Sequence, residues 1–446
     1  MTRSRCAVPH HAAPHSRQYA SKHSVGRPSI FKSLCLSCCI YCWWQSSTDV
    51  RDDTSGAGFP GPLVLLPPRR MPEKVKVVES HAVLRPDLAV TCLSSWAALK
   101  REEALYSSQG RSLRKLLGAL EALVAEGRLD DHLQNIASCA IRLTAKGLDA
   151  TSLTRRCLQA SKGKVAVVDG RDVVTLAWNL AKSRERDAAV LRTLAESARK
   201  HINSTNAAGL TKLAWSFALL EVKDSNLLDA ISKALQSRLT ELSPWRLARC
   251  AWSFARLQRK DIDLFDAIAQ QSLTTISSFS LESLSRLAWA FATLGIENRV
   301  LLHTIGKQAM TNLDQAKPQE LLNIAWSFAV LGLGEPDLFH AVARTATKQQ
   351  VVRALSPRSL CKLAWSFAKT ECLEVDLFSE IGMRVIQSRA AFEPSMLINL
   401  AWSFAVLGVN NSEFLEAVGE ESMTKLSDFS PQELSNLMWA FASAQR

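Results

Sequence analysis

Thr175, Lys212, Arg249, Arg286, Asn323, Lys362, Asn399 and Asn436 recur at a nearly constant interval, and each is polar and none is acidic. With about half of all residues polar, eight such positions in register arise by chance about once in 250 trials. A merely solvated column would also sample the 42 Asp and Glu residues of the chain. Two helical turns beyond three of these positions stand Lys182, Arg256 and Lys369. Lysine and arginine neutralise phosphates, while asparagine and arginine pair with the edges of unstacked bases, so a strip of this composition suits single-stranded RNA. The competing readings are a surface for protein partners and a lysine-rich solvated face with no partner.

Catalysis has no comparable signal. The nine histidines show no metal-ligand spacing, and the chain contains no G-x-S-x-G, no Walker A and no kinase signature. The Gly-Lys of SKGKVAVVDG, residues 161 to 170, lacks the spacing of a phosphate-cradling loop. The expectation is a protein that is not an enzyme, with no cofactor, no bound metal and no small-molecule substrate.

The strip is registered by tryptophan. Trp178, Trp215, Trp252, Trp289, Trp326, Trp365, Trp402 and Trp439 each lie in a variant of LAWSFA, at spacings of 37, 37, 37, 37, 39, 37 and 37, three residues after each strip position. A period in this range means a solenoid, whose units bury their apolar faces only against their neighbours. Nine residues before the Trp stand Asp169, Asn206, Ser243, Ser280, Lys317, Ser356, Glu393 and Ser430, and Pro244, Pro318, Pro357, Pro394 and Pro431 follow five of them. A side-chain acceptor followed by proline starts a helix, because orphan N–H groups gain a partner and proline has none to lose. The helix should run about fourteen residues, to stops such as Leu294-Gly295, Leu331-Gly332 and Leu407-Gly408. A second helix should open near Asp263, Asp337, Asp376 or Glu413 and bury pairs such as Leu264-Phe265 and Leu377-Phe378. The fold class is therefore all-α: a right-handed α-solenoid of helix–turn–helix repeats, preceded by a disordered N-terminal region.

Projected at 100° per residue, the first helix has an apolar arc of about 160°. Counting from the Trp, positions −5, −2, −1, +2, +3 and +5 form that arc. Positions −7, −6, −3, +1 and +4 form the polar wedge, with Trp at the border. A large aromatic at a regular helical interval is first a packing residue, although base stacking on Trp is the alternative. The Phe column from Phe217 to Phe441 is expected in the core.

Residues 169 to 446 hold eight repeats, the last incomplete, and 81 to 168 hold degenerate ones, in which LQNIASCAIRL puts Ser138 where a Trp would stand. The last repeat ends soon after Trp439, which suggests a fragment or a further C-terminal domain. Residues 49 to 80, with Gly56, Gly58, Pro60, Gly61, Pro62, Pro67 and Pro68, form a linker. Residues 1 to 48 carry six Arg and Lys and no acid, half of the net charge of +12, as in an organelle transit peptide. The alternatives are a basic tail or a later start at Met71. Cys35, Cys38, Cys39 and Cys42 could in principle ligate a metal, but no ligand knuckle flanks them. No apolar run reaches the roughly 18 residues of a membrane span.

LAWSFALLE, LAWAFATLG, IAWSFAVLG and LAWSFAVLG, with their Ser-Pro or Lys-Pro starts, resemble the octotricopeptide repeat family and the leucine-rich helical region of the related FAST kinase family. The resemblance covers residues 169 to 446. It implies an organellar RNA-binding factor, in the mitochondrial matrix or chloroplast stroma, acting in transcript stability, processing or translation beside other RNA-processing proteins. The RAP domain that closes many members is not seen in this sequence. Of the family's base-reading positions, only the strip and its neighbours match.

Overall fold

The computed structural model describes Leu93 and residues 109–129, 132–145, 150–160, 170–184 and 186–444. The expected targeting segment, the linker, the cysteine cluster and the Gly-Lys loop lie outside the described residues. All described residues belong to one unit, Met71–Arg446, and among them there is no strand. No described helix is long and apolar enough to cross a membrane.

After α1 (Gln109–Ala125), the chain runs as helix pairs. The first helices of the pairs are α2 (Leu133–Ala145), α4 (Gly170–Ser183), α6 (Ala207–Leu220), α8 (Pro244–Arg256), α10 (Leu281–Thr293), α12 (Pro318–Val330), α15 (Pro357–Lys369), α17 (Pro394–Leu407) and α19 (Pro431–Ala444). Between them lie the second helices α3 (Thr151–Ala160), α5 (Ala188–Lys200), α7 (Ser225–Gln236), α9 (Ile262–Thr274), α11 (Arg299–Met310), α13 (Pro336–Lys348), α16 (Val375–Ser388) and α18 (Ser412–Thr424). Each first helix packs against the next first helix and each second helix against the next second helix, the first-helix layer being the tighter. The two extra residues of the 39-residue interval fall between α13 and α15. Gln350 turns there with φ 52° into a short α14 (Val351–Ala354), where other repeats have a 3-10 turn.

The helix starts follow the side-chain chemistry. Asn206, Ser280 and Ser356 accept a hydrogen bond from a first-turn N–H. At Lys317 the contact runs the other way, Glu320 accepting from the cap N–H at 2.9 Å, and at Ser430 it runs both ways, Glu433 accepting from the cap N–H at 2.9 Å while its own N–H donates to Ser430 Oγ at 3.4 Å, so the first-turn acids of these helices are caps. Ser243 and Glu393 form no cap bond. Five second helices are capped by Asp187, Asp224, Asp261, Asn298 and Asn411, Asp261 and Asn411 standing just before the expected openings at Asp263 and Glu413, whereas Glu335 and Glu374 before α13 and α16 form no cap bond.

Each first helix of the regular repeats ends in a residue at positive φ six positions past the Trp: Arg184, Glu221, Gln258, Gly295, Gly332, Glu371 and Gly408. The next N–H then reaches back to the +2 carbonyl, as from Ile296 to Phe291 at 3.0 Å. This is the left-handed cap that glycine adopts without strain.

Phe217, Phe254, Phe291, Phe328, Phe367 and Phe404 are fully buried. They knit successive repeats together, the ring of a second helix meeting the next first helix edge-on: Phe265 with Phe291 at 5.0 Å, Phe339 with Phe367 at 5.1 Å and Phe378 with Phe404 at 5.1 Å. Such pairs add about 0.5–1.5 kcal/mol beyond area burial. Phe441 is only half-buried. Its helix α19 packs against one first helix, not two, so the expected core position lacks its second wall.

Candidate functional site

The face left open on the first helices is narrower than the expected wedge. Position +1 is closed: Ser216, Ser253, Ser327, Ser366 and Ser403 are fully buried and donate their hydroxyls to the −3 carbonyl at 2.5–2.8 Å. Position −4 is closed too, at Thr211, Ala248, Ser285, Leu322, Cys361 and Ile398. The cause is that a central first helix is walled on both sides by its neighbours and beneath by second helices, which leaves about 60° of arc at 100° per residue. That arc holds the Trp and positions −7, −3 and +4. The Trp column therefore shares the strip's surface: seven of its members are partly exposed and only Trp365 is buried.

All eleven strip residues lie on this arc: Thr175 and Lys182 on α4, Lys212 on α6, Arg249 and Arg256 on α8, Arg286 on α10, Asn323 on α12, Lys362 and Lys369 on α15, Asn399 on α17 and Asn436 on α19. Lys182 is exposed and the others half-buried. Position −7 lies one turn before −3, within side-chain reach, and conditions it. Glu282 pairs with Arg286 at 2.7 Å. Gln319 donates to Asn323 at 2.8 Å and Gln432 to Asn436 at 3.3 Å. Burial, reinforced by the Arg358 guanidinium, pushes the Lys362 ammonium down to about 7.

The strip is therefore not free of acids. Besides the Arg286 pair, Arg256 meets Glu221 from the preceding repeat at 2.8 Å. Glu282 is visible in the sequence as a first-turn acid, but its reach to the strip one turn on is not counted when the −3 column is read alone, and Glu221 lies 35 residues from Arg256.

Cationic character concentrates instead on α4, α6 and α8. Trp178 and Trp215 stack at 4.6 Å with 29° between planes. Lys182 and Lys212 Nζ lie 5.2 and 4.6 Å from the Trp178 ring centre, and the Arg249 guanidinium lies 3.8 Å from that of Trp215. Arg246 stands 4.9 Å from the ring of Trp245, itself 45% exposed. Cation–π attraction of about 0.5–2 kcal/mol per pair holds these side chains in place. Among the described residues, Lys182, Lys212, Arg246 and Arg249 form no ion pair with a carboxylate. Burial, then Arg249 and Lys182, lower the Lys212 ammonium below its usual range. Burial, then Arg286 and Arg246, push Arg249 down to about 10. These side chains border a cleft of about 330 Å³ lined by Trp178, Gly209, Lys212, Trp245, Arg246 and Arg249 among others. Gly209 is required at its edge, since a Cβ there would lie 2.7 Å from Thr205 Cγ2.

Trp245 and Arg246 are absent from the strip read from sequence. The available signal was an aromatic and a cation directly after Pro244, one turn before Arg249 on the same ridge. No group of His, Cys, Asp and Glu among the described residues could hold a metal ion.

Residues 133–369 match the family model described as RNA-editing substrate-binding complex 6 protein. That span is more than half of the chain. The chain belongs to the RNA-editing substrate-binding complex 6 protein family. The match runs from α2 to the end of α15 and contains the whole basic and aromatic cluster. Membership makes this an RNA-associated helical-repeat protein. Comparison with curated proteins gives no match. Among solved structures, the chain is similar to one titled "Circular tandem repeat protein with novel repeat topology and enhanced subunit contact surfaces". The identity is 13% over 82% of this chain and 99% of that one, with a TM-score of 0.21, too slight a likeness to bear on function.

Proposed function

We propose that this protein binds single-stranded RNA along the open arc of its first helices and acts by holding transcripts, without itself catalysing a step, in transcript stability, processing or translation. The observation that carries this reading is the run of cations on Trp faces across α4, α6 and α8. Phosphate neutralisation and base stacking are the two sequence-tolerant contributions to single-strand binding, and here they occupy one surface. Further along, Asn323, Asn399 and Asn436 offer amides at the same register for base edges. The family's name describes a substrate-binding complex in RNA editing, which supports work within an assembly containing other RNA-processing proteins. The octotricopeptide resemblance and the acid-free basic start of the chain support an organellar location, mitochondrial matrix or chloroplast stroma.

The test is fluorescence anisotropy with labelled single-stranded RNA. Reversal of Lys182, Lys212, Arg246 and Arg249 to Glu should weaken binding by about a hundredfold or more with helicity unchanged. Reversal of Arg192, Lys200, Lys233 and Lys307 on the second helices should leave it nearly intact. Equal effects of the two sets, or no binding by the wild type, would replace this reading with a protein-interaction scaffold.

A further inference from the structure

Four observations converge on the cleft between α4, α6 and α8. Its volume, about 330 Å³, lies at the small end of the roughly 300–1,000 Å³ typical of ligand sites. Lys212, Arg246 and Arg249 border it, and no carboxylate among the described residues pairs with them. Arg249 Nε is buried without a hydrogen-bond partner, although a buried donor ordinarily has one. Trp245 is 45% exposed at the rim, with Arg246 and Arg249 4.9 and 5.6 Å from its ring centre, whereas Trp178 is stacked on Trp215 as well as flanked by its cations.

Converging like charges repel one another and are disfavoured unless an anion enters. The donors and the flat ring ask for different things of that anion: several acceptor oxygens for the guanidinium and ammonium groups, and a π-face for Trp245. An acidic peptide would meet the first demand and leave the second unmet. A phosphate carrying an aromatic base meets both.

We propose that this cleft is a discrete seat for one nucleotide, its phosphate held by Lys212, Arg246 and the Arg249 guanidinium and its base stacked on Trp245. The seat rests on the RNA reading and sharpens it: the array has one anchoring point, which fixes the register of a bound strand. The phosphate belongs either to the strand's 5′ end or to an internal linkage.

The test uses the full chain and uridine 5′-monophosphate, followed by calorimetry and intrinsic Trp fluorescence. Saturable binding is expected, with uridine and a short oligo-glutamate at least about tenfold weaker. Trp245→Ala should weaken the nucleotide by roughly ten- to a hundredfold and leave inorganic phosphate unaffected. Arg249→Gln should weaken both, and Trp402→Ala neither. A 12-nucleotide RNA should displace the nucleotide, and comparison of 5′-phosphorylated with 5′-hydroxyl RNA distinguishes a terminal from an internal phosphate. Nucleotide binding indifferent to both cleft variants, or matched by oligo-glutamate, overturns the seat. RNA binding without competition from the nucleotide also overturns it and leaves the RNA reading standing. Nucleotide binding with no RNA binding does the reverse.

Discussion

Converting Lys212 and Arg249 to Gln should flatten the salt dependence of RNA binding by a calculable amount. Each phosphate neutralised on a single strand contributes about 0.7 to the slope of log affinity against log salt. Among the described residues, the cations without a carboxylate partner on α4, α6 and α8 are Lys182, Lys212, Arg246 and Arg249; three converge on one phosphate and Lys182 can meet a second, so the cluster should set a slope of about −1.4. Raising salt from about 50 to about 200 mM should then weaken the wild type roughly sevenfold. The double variant dismantles the shared phosphate site and keeps Lys182, and its slope should fall to about −0.7, a loss of roughly threefold over the same range. The assay is anisotropy of labelled RNA at four or more salt concentrations, with circular dichroism confirming that the helices persist. Arg256 and Arg286 should contribute little, because Glu221 and Glu282 already compensate them. A double variant that keeps the wild-type slope would refute the assignment of phosphate contacts to this cluster. So would a double variant of Arg256 and Arg286 that lowers the slope equally.

Two further predictions concern stability. Because the Lys362 ammonium is pushed down to about 7 from 10.5, the unfolded state binds more protons than the folded state between those values. Stability should therefore rise with pH through that window. Lys362→Met should gain about 1–3 kcal/mol in denaturant unfolding at pH 7, and an equal gain at pH 10 would contradict the burial argument. Gln258 ends α8 at φ 58°, so Gln258→Gly should stabilise by about 0.5–1 kcal/mol. Gly332→Ala, at φ 69° with open space around the added methyl, should destabilise by about 1 kcal/mol, and opposite signs in either melt would show that the caps are not strained.

Much of the architecture was legible because solenoid packing repeats in sequence what it repeats in space. The Trp interval located the first helices from α4 onward, the side-chain acceptor nine residues before each Trp located the caps at Asn206, Ser280 and Ser356, and Gly295, Gly332 and Gly408 marked the stops. The candidate site was legible only in part. The −3 residues do face outward, yet the Ser column beside them turned inward to bond the −3 carbonyls, and two of the cations met acids from elsewhere.

What the chain settled by itself is local: which residues start, line and end each helix, since capping, backbone preference and apolar period act within one or two turns. Which surface remains open was decided by the assembled array. A helix walled by two neighbours and a second layer exposes only the arc they leave, and that arc joined Trp178, Trp215 and Trp245 to Lys212 and Arg249. Their proximity comes from side chains on successive repeats meeting across helix contacts, which periodicity along one helix does not encode.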